Sequence, residues 1–275
     1  MKKLVCSLGV LALCLIESPT AMAASCVPAP ATLVESGVLT VGTTLGVPPM
    51  SFAKDGKPAG FDIDLAAALA KEMCLQPKFV NLAFAGLLPG VDANKFDIAS
   101  SGIGITAARK TTFDFVPDFV AGVRLIAKKG SNLHFATELD TCGHSVSTRA
   151  GSVEANALLR VKAQCAADKP MDLKVYPSDN EAMQQLFKGV VEASFVDWPM
   201  AAYAVRTNPD LVEASPILSG DGPGTPRHID GLALRKGNKA LQDALEESMK
   251  RVIDNGTYKE VLDAYGLENG NVSKQ

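Results

Sequence analysis

The sequence predicts an α/β protein of two lobes, each a mostly parallel sheet flanked by helices. Strand-like and helix-like stretches alternate along the chain, and the alternation restarts near residue 125. About 250 residues behind a leader also exceed what one hydrophobic core usually organises.

The elements follow in order. Residues 38–43 (VLTVGT) are apolar and rich in β-branched side chains, which suits a strand. Asp62 reads as the cap of a helix whose Leu65, Leu69 and Met73 recur every four residues on one face. Strands at 78–81 and 96–100 complete a βαβαβ unit. After Leu125-Ile126-Ala127 the pattern begins again, with strands at 144–148, 172–176 and 193–196 and helices at 152–163 and 181–188. The run DGPGTP at 221–226 is dense in turn formers and interrupts it. Beyond it come a strand at 231–234 and a helix capped by Asn238, with Leu241, Leu245, Met249 and Val252 on one face and an end at Asn255-Gly256. A last helix covers 258–265. These apolar stripes read as core.

The N-terminus places the protein outside the cytoplasm. Lys2 and Lys3 precede an apolar stretch at 4–16, and Ala21-Met22-Ala23 forms a small-x-small cleavage site, so residues 1–23 read as a signal peptide. Leu13 is too bulky to precede a lipidated Cys14. No later stretch approaches the roughly twenty apolar residues of a membrane span. A net charge of −3 without a basic run argues against a nucleic-acid partner. Losing Cys6 and Cys14 with the leader leaves Cys26, Cys74, Cys142 and Cys165, an even set in an oxidising compartment. Three connectivities are open. Cys142 with Cys165 and Cys26 with Cys74 are favoured, because the first pair closes a short loop and each pair stays within one lobe. Each bridge is worth roughly 3 kcal/mol. Without CxxC spacing, and with histidines scattered at 134, 144 and 228, no metal site is expected.

The segment DIASSGIGITAAR, residues 97–109, is the best candidate for chemistry. A short apolar run enters a glycine-rich turn and ends in Arg109, so free backbone N–H groups and a planar two-pronged cation fall together. That combination suits a carboxylate.

Further fragments stand around it in order: VGTTLGVPPMSF, GKPAGFDIDLAAALA, FAGLLPGVDANKFDIASSGIGITAAR, YPSDNEAMQQLFKGVVEASFVD, GLALRKGNKAL and DNGTYKEVLDAYGL. Together, from Leu39 to Leu267, they resemble the family 3 periplasmic solute-binding proteins, which deliver polar amino acids to ATP-driven importers. The resemblance implies a discontinuous lobe 1 of residues 24–118 and 231–275, a lobe 2 of 124–223, and hinge segments at 119–123 and 224–230. It implies a monomer in the periplasm, without cofactor, that hands a small ligand to the membrane permease of an ABC importer. It also implies roles for single residues. Arg109 matches the arginine that holds a ligand α-carboxylate, and Gly102 and Gly104 match the turn beside it. Asp197 matches the lobe 2 carboxylate that takes the α-ammonium, and Gly151 and Ser152 match a helix start that donates to the carboxylate. Phe84 matches an aromatic wall of the cleft. Thr44 stands where binders of cationic amino acids often carry an acid, which argues against such ligands, and Val47 replaces a frequent aromatic. Arg149 stands where some relatives touch the ligand side chain, favouring an acidic or amide ligand. Trp198 and Met50 fit cleft or core equally. Two other functions keep the same scaffold: an exported dehydratase using a cleft carboxylate as general acid, for which no residue is marked out, and a ligand sensor docking on a membrane receptor.

Overall fold

The computed structural model describes residues 25–220 and 226–274, so the signal segment and most of the turn-rich run at 221–226 lie outside the described residues. Among the described residues no helix is long and apolar enough to cross a membrane.

Two five-stranded sheets organise the chain. The first contains β1 (Val38–Thr43), β4 (Gln76–Asn81), β5 (Ile98–Ala99), β6 (Phe113–Val120) and β12 (Ile229–Arg235), in the order β4-β1-β5-β12-β6. The second contains β7 (Val123–Lys128), β8 (Ser145–Arg149), β9 (Asp172–Tyr176), β10 (Ala193–Asp197) and β11 (Leu211–Glu213), in the order β11-β7-β10-β8-β9. In the first sheet β12 alone runs against its neighbours β5 and β6, and in the second β7 alone runs against β10 and β11. Each sheet is therefore mostly parallel, and each antiparallel strand is the one the chain lays down as it enters that sheet from the other. A small hairpin of β2 (Phe52–Lys54) and β3 (Lys57–Ala59), turning at Asp55-Gly56, lies beside the first sheet.

The helices are α1 (Phe61–Glu72), α2 (Leu87–Asp92), α3 (Ala107–Lys110), α4 (Val153–Lys162), α5 (Asp179–Lys188), α6 (Trp198–Thr207), α7 (Lys239–Asp254) and α8 (Thr257–Tyr265). Ser152 caps α4 by accepting from the Ala155 N–H, and Asn238 caps α7 by accepting from Leu241. Both follow the usual logic of a short polar side chain satisfying a free helix donor. Asp62 does not cap α1. The cap position is Gly60, at φ 120°, where the Met50 carbonyl leaves no room for a Cβ, and Asp62 is buried inside the first turn. The third predicted strand is also shorter than 96–100, because Phe96 leaves the ladder to insert its ring between Gly42 and Gly90. A Cβ at either glycine would lie 2.4 Å from that ring.

One apolar core runs from Leu39, Leu65 and Leu69 through Phe119 and Trp198 to Leu245 and Leu262, so it ties both sheets together. A second cluster, with Val146, Leu158 and Phe195, fills the far sheet alone. The disulfides join Cys26 to Cys74 and Cys142 to Cys165, with Cα separations of 5.7 and 5.4 Å, which fits bridge geometry. Each staples elements of a single sheet layer.

Candidate functional site

The predicted site residues gather where the carboxyl ends of the two sheets face each other. Thr44 follows β1, residues 100–104 follow β5, Arg149, Gly151 and Ser152 end or follow β8, and Asp197 ends β10. In both sheets the strand order reverses between these neighbours, β1 with β5 and β8 with β10. Diverging connections there leave a crevice at the carboxyl ends.

Arg109 spans the crevice. Its Nη1 donates to the Gly104 carbonyl at 2.6 Å, and its Nη2 donates across to the Gly151 carbonyl at 2.9 Å. Thr106 fixes the start of its helix by accepting from the Arg109 N–H. Burial lowers the basicity of this guanidinium, opposed by the nearby carboxylates of Asp230 and Glu154. Gly102 sits at φ 57°, a left-handed conformation that glycine adopts cheaply, and a Cβ there would lie 3.7 Å from one oxygen each of Asp197 and Asp230.

Arg149 is buried, and its Nη1 pairs with Asp179 at 2.6 Å. Its guanidinium lies 3.7 Å from the centroid of the Phe84 ring, while Arg109 lies 6.0 Å from the same ring. The aromatic wall expected at Phe84 is thus faced by two cations, one stacked closely enough for a cation–π contact. Burial weakens the Arg149 charge, but Asp179 and Glu154 outweigh it and raise its pKa. Its Nε has no hydrogen-bond partner.

Thr44 donates its hydroxyl to the Leu82 carbonyl at 3.0 Å, so it anchors the segment leading to Phe84. Ser152 is occupied twice, capping α4 and donating to the Arg149 carbonyl. Val47 and Met50 belong to the core. So does Trp198, which stacks on Phe119 at 5.7 Å and donates its indole N–H to Val120.

Sequence reasoning missed a set of buried acids around this crevice: Asp62, Asp118 and Asp230 from the first sheet's side, and Glu154 beside Asp197 from the second. Burial raises Asp62 to about 7, reinforced by Asp230 and opposed by Gly102, Ser100 and Ser51. Burial also lifts Asp118 well above the usual carboxylate range, as do Asp62 and Asp230. For Asp197 the causes are burial and the neighbouring Glu154 and Asp230 charges. Glu154 goes the other way, because the Arg149 charge and a hydrogen bond shared with Asp197 outweigh its own burial. His228 is pushed up to about 9, since contacts with Asp230 and Glu154 overcome the desolvation that would lower it. Only the carboxylate at the end of β10 carried a signal in the sequence, and that signal came from resemblance.

Residues 39–268 match the model of the bacterial extracellular solute-binding proteins, family 3. The chain belongs to this family. Among similar solute-binding proteins is the L-cystine-binding protein TcyJ of Escherichia coli (strain K12), 29% identical over 225 residues that cover 81% of this chain and 80% of TcyJ. An ancestral arginine-binding protein solved with arginine superposes with a TM-score of 0.75 at 30% identity, covering 83% of this chain and 98% of its own. The ancestral amino acid-binding protein AncCDT-1, a precursor of cyclohexadienyl dehydratase, gives 0.72 at 29%, covering 83% and 95%. This solute-binding protein thus has the two-lobed α/β fold of amino-acid-binding relatives.

Proposed function

We propose that this solute-binding protein captures a free amino acid in the periplasm and presents it to the permease of an ABC importer. The observation that carries this reading is that Arg109 and the Asp197 carboxylate face one crevice. A zwitterion bears opposite charges on one carbon, so its site needs a cation with N–H donors close to an anion. Arg109 spends two of its N–H groups on Gly104 and Gly151, which leaves donors for an α-carboxylate, and Asp197 Oδ1 has no partner. The Gly102 turn lies between them.

In this reading lobe 1 comprises residues 24–118 and 231–275, lobe 2 comprises 124–223, and 119–123 and 224–230 act as hinges. Binding draws the lobes together because Arg109 already reaches from one to the other, and the importer recognises the closed form. Thr44 positions the approach to Phe84, and Ser152 positions Gly151. The Arg149 Nε–H lacks an acceptor, which a carboxylate or amide oxygen on the ligand side chain would supply. The ligand class is accordingly an acidic or amide amino acid, and the protein works as a monomer without catalysis.

The test is a thermal-shift screen of the exported protein, stripped of bound ligand by unfolding and refolding, against amino acids and small organic acids. A ligand that binds only the folded state raises the melting temperature by mass action. Stabilisation by glutamate, glutamine, aspartate or asparagine is expected, and a response to arginine or lysine alone would replace the assigned ligand class. Turnover of a hydroxylated cyclic acid, lost in Asp197→Asn, would replace binding with the dehydratase reading.

A further inference from the structure

Three buried side-chain atoms at the junction of the sheets have no hydrogen-bond partner and converge: Asp197 Oδ1, Asp230 Oδ1 and His228 Nε2. The His228 nitrogen lies 3.5 Å from the Asp230 oxygen and 3.8 Å from the Asp197 oxygen. One ligand atom from each residue falls within 4.8 Å of the other two. His228 immediately precedes β12 and Asp230 is its second residue, so with alternation along extended chain both reach one side. Asp197 meets them from the end of β10 in the other sheet.

The far side of the imidazole fixes its orientation. Nδ1 lies 3.1 Å from the Ser219 carbonyl, which can only accept, so Nδ1 carries a hydrogen there and Nε2 faces the carboxylates. Histidines that bind metals are usually oriented in this way, by donating the other ring N–H to a carbonyl or carboxylate. Two buried carboxylates converging on one imidazole also make a setting in which a bound cation is favoured.

We propose that Asp197, His228 and Asp230 form a binding site for a divalent first-row transition-metal ion of the zinc class. A tetrahedral zinc site with bonds of about 2.1 Å has ligand-to-ligand edges of about 3.4 Å. The observed 3.5 and 3.8 Å need only slight contraction. One imidazole with two carboxylates suits zinc, cobalt or nickel better than magnesium or calcium, which favour all-oxygen shells. Three protein ligands leave a fourth position for water or for a donor from a small molecule in the crevice. The ion takes the place of the proton otherwise held at Nε2, and it bridges the two sheets. Asp197 is shared with the ammonium clamp, so zinc and an amino acid compete for it, yet zinc binding does not depend on which solute the protein carries.

The experiment is calorimetric titration of Zn²⁺ into the chelator-treated, dialysed protein, with melting curves taken alongside to show that each variant folds. One equivalent is expected to bind and to raise the melting temperature, with affinity lowered at least about 10-fold in Asp230→Asn and in His228→Gln. His144→Gln removes a surface histidine paired with Glu192 and is expected to leave zinc binding unchanged. Asp230→Asn keeps the shape of the side chain and serves as the readout if His228→Gln fails to fold. No uptake by the wild type, undiminished affinity in folded Asp230→Asn, or loss only in His144→Gln overturns the assignment. Failure of every amino acid to bind, with zinc binding intact, would overturn the proposed solute and leave the metal site standing.

Discussion

The two sheets repeat one topology and differ in what they bring to the crevice. In each, three parallel strands run in the order second, first, third. A single antiparallel strand follows, and a fourth parallel strand closes the edge. The loop ends are chemically unlike. The first side supplies Phe84, Arg109 and the acids Asp62, Asp118 and Asp230. The second supplies the ion pair of Arg149 with Asp179 and the adjoining carboxyls of Glu154 and Asp197. A duplicated scaffold therefore frames the crevice, while the loop ends give its two sides different chemistry.

Breaking the bridge between the halves should have the largest effect. Arg109→Ala removes donors to both Gly104 and Gly151, and it is expected to cost about 2 to 5 kcal/mol of amino-acid binding, measured by calorimetry on a folded variant. Near-normal affinity would show that the halves do not share this cation.

The disulfides compare the lobes by stability. Removing either pair by Cys→Ser substitution should cost roughly 3 to 4 kcal/mol in denaturant unfolding. The bridges span sequence separations of 48 and 23 residues, so losing Cys26–Cys74 should exceed losing Cys142–Cys165 by about 0.6 kcal/mol on loop entropy. The reverse order would mean that the first lobe retains more structure when unfolded, because a bridge adds less where the unfolded chain is already restricted.

The stack of Arg149 on Phe84 joins the two sides through a face rather than a charge pair. Arg149→Lys keeps the charge but loses the planar stack, and Phe84→Leu loses the ring. A double-mutant cycle on stability should return a coupling of about 1 kcal/mol.

A pH slope tests one acid of the first side. Asp62 titrates near 7 when folded, above its ordinary 3.8, because it is buried. The folded state thus holds the proton more tightly than the unfolded chain. Its contribution is fully present below about 4, declines as pH rises and is lost through 7, with a slope of at most about 1.4 kcal/mol per unit. Asp62→Asn should flatten the dependence of unfolding free energy on pH in that window, and an unchanged slope would assign it to Asp118 or Asp197.

The local code was legible where the relevant contacts are local. The strand at 38–43, the cap Asn238 and the apolar stripe of α7 lie where periodicity and capping place them. The β2–β3 hairpin escaped notice although Asp55-Gly56 is a good turn signal, because its strands are only three residues long. The α6 helix was missed because its Trp-Pro start offers no side-chain cap and its alanine-rich body has no sharp stripe. Strand β6 was missed because the apolar run 113–120 carries an internal Pro117, which an antiparallel ladder tolerates only through the irregular register beside Gly231.

By itself the sequence determined the α/β alternation, a leader-like N-terminal pattern, the cysteine inventory and Arg109 at the end of a glycine-rich turn, since periodicity, leader pattern and turn chemistry each lie within a short window. Only the tertiary structure decided that Asp179 pairs with Arg149 and that Glu154 lies beside Asp197. It also decided that His228 and Asp230 meet a carboxylate some thirty positions away. Spacing along the chain had argued against any metal site, but those atoms come together because two sheets, each wound separately, turn the same ends toward one another. Pairwise distance across such a junction leaves no trace in local sequence, and it is that distance which sets charge, protonation and the ligand a crevice can hold.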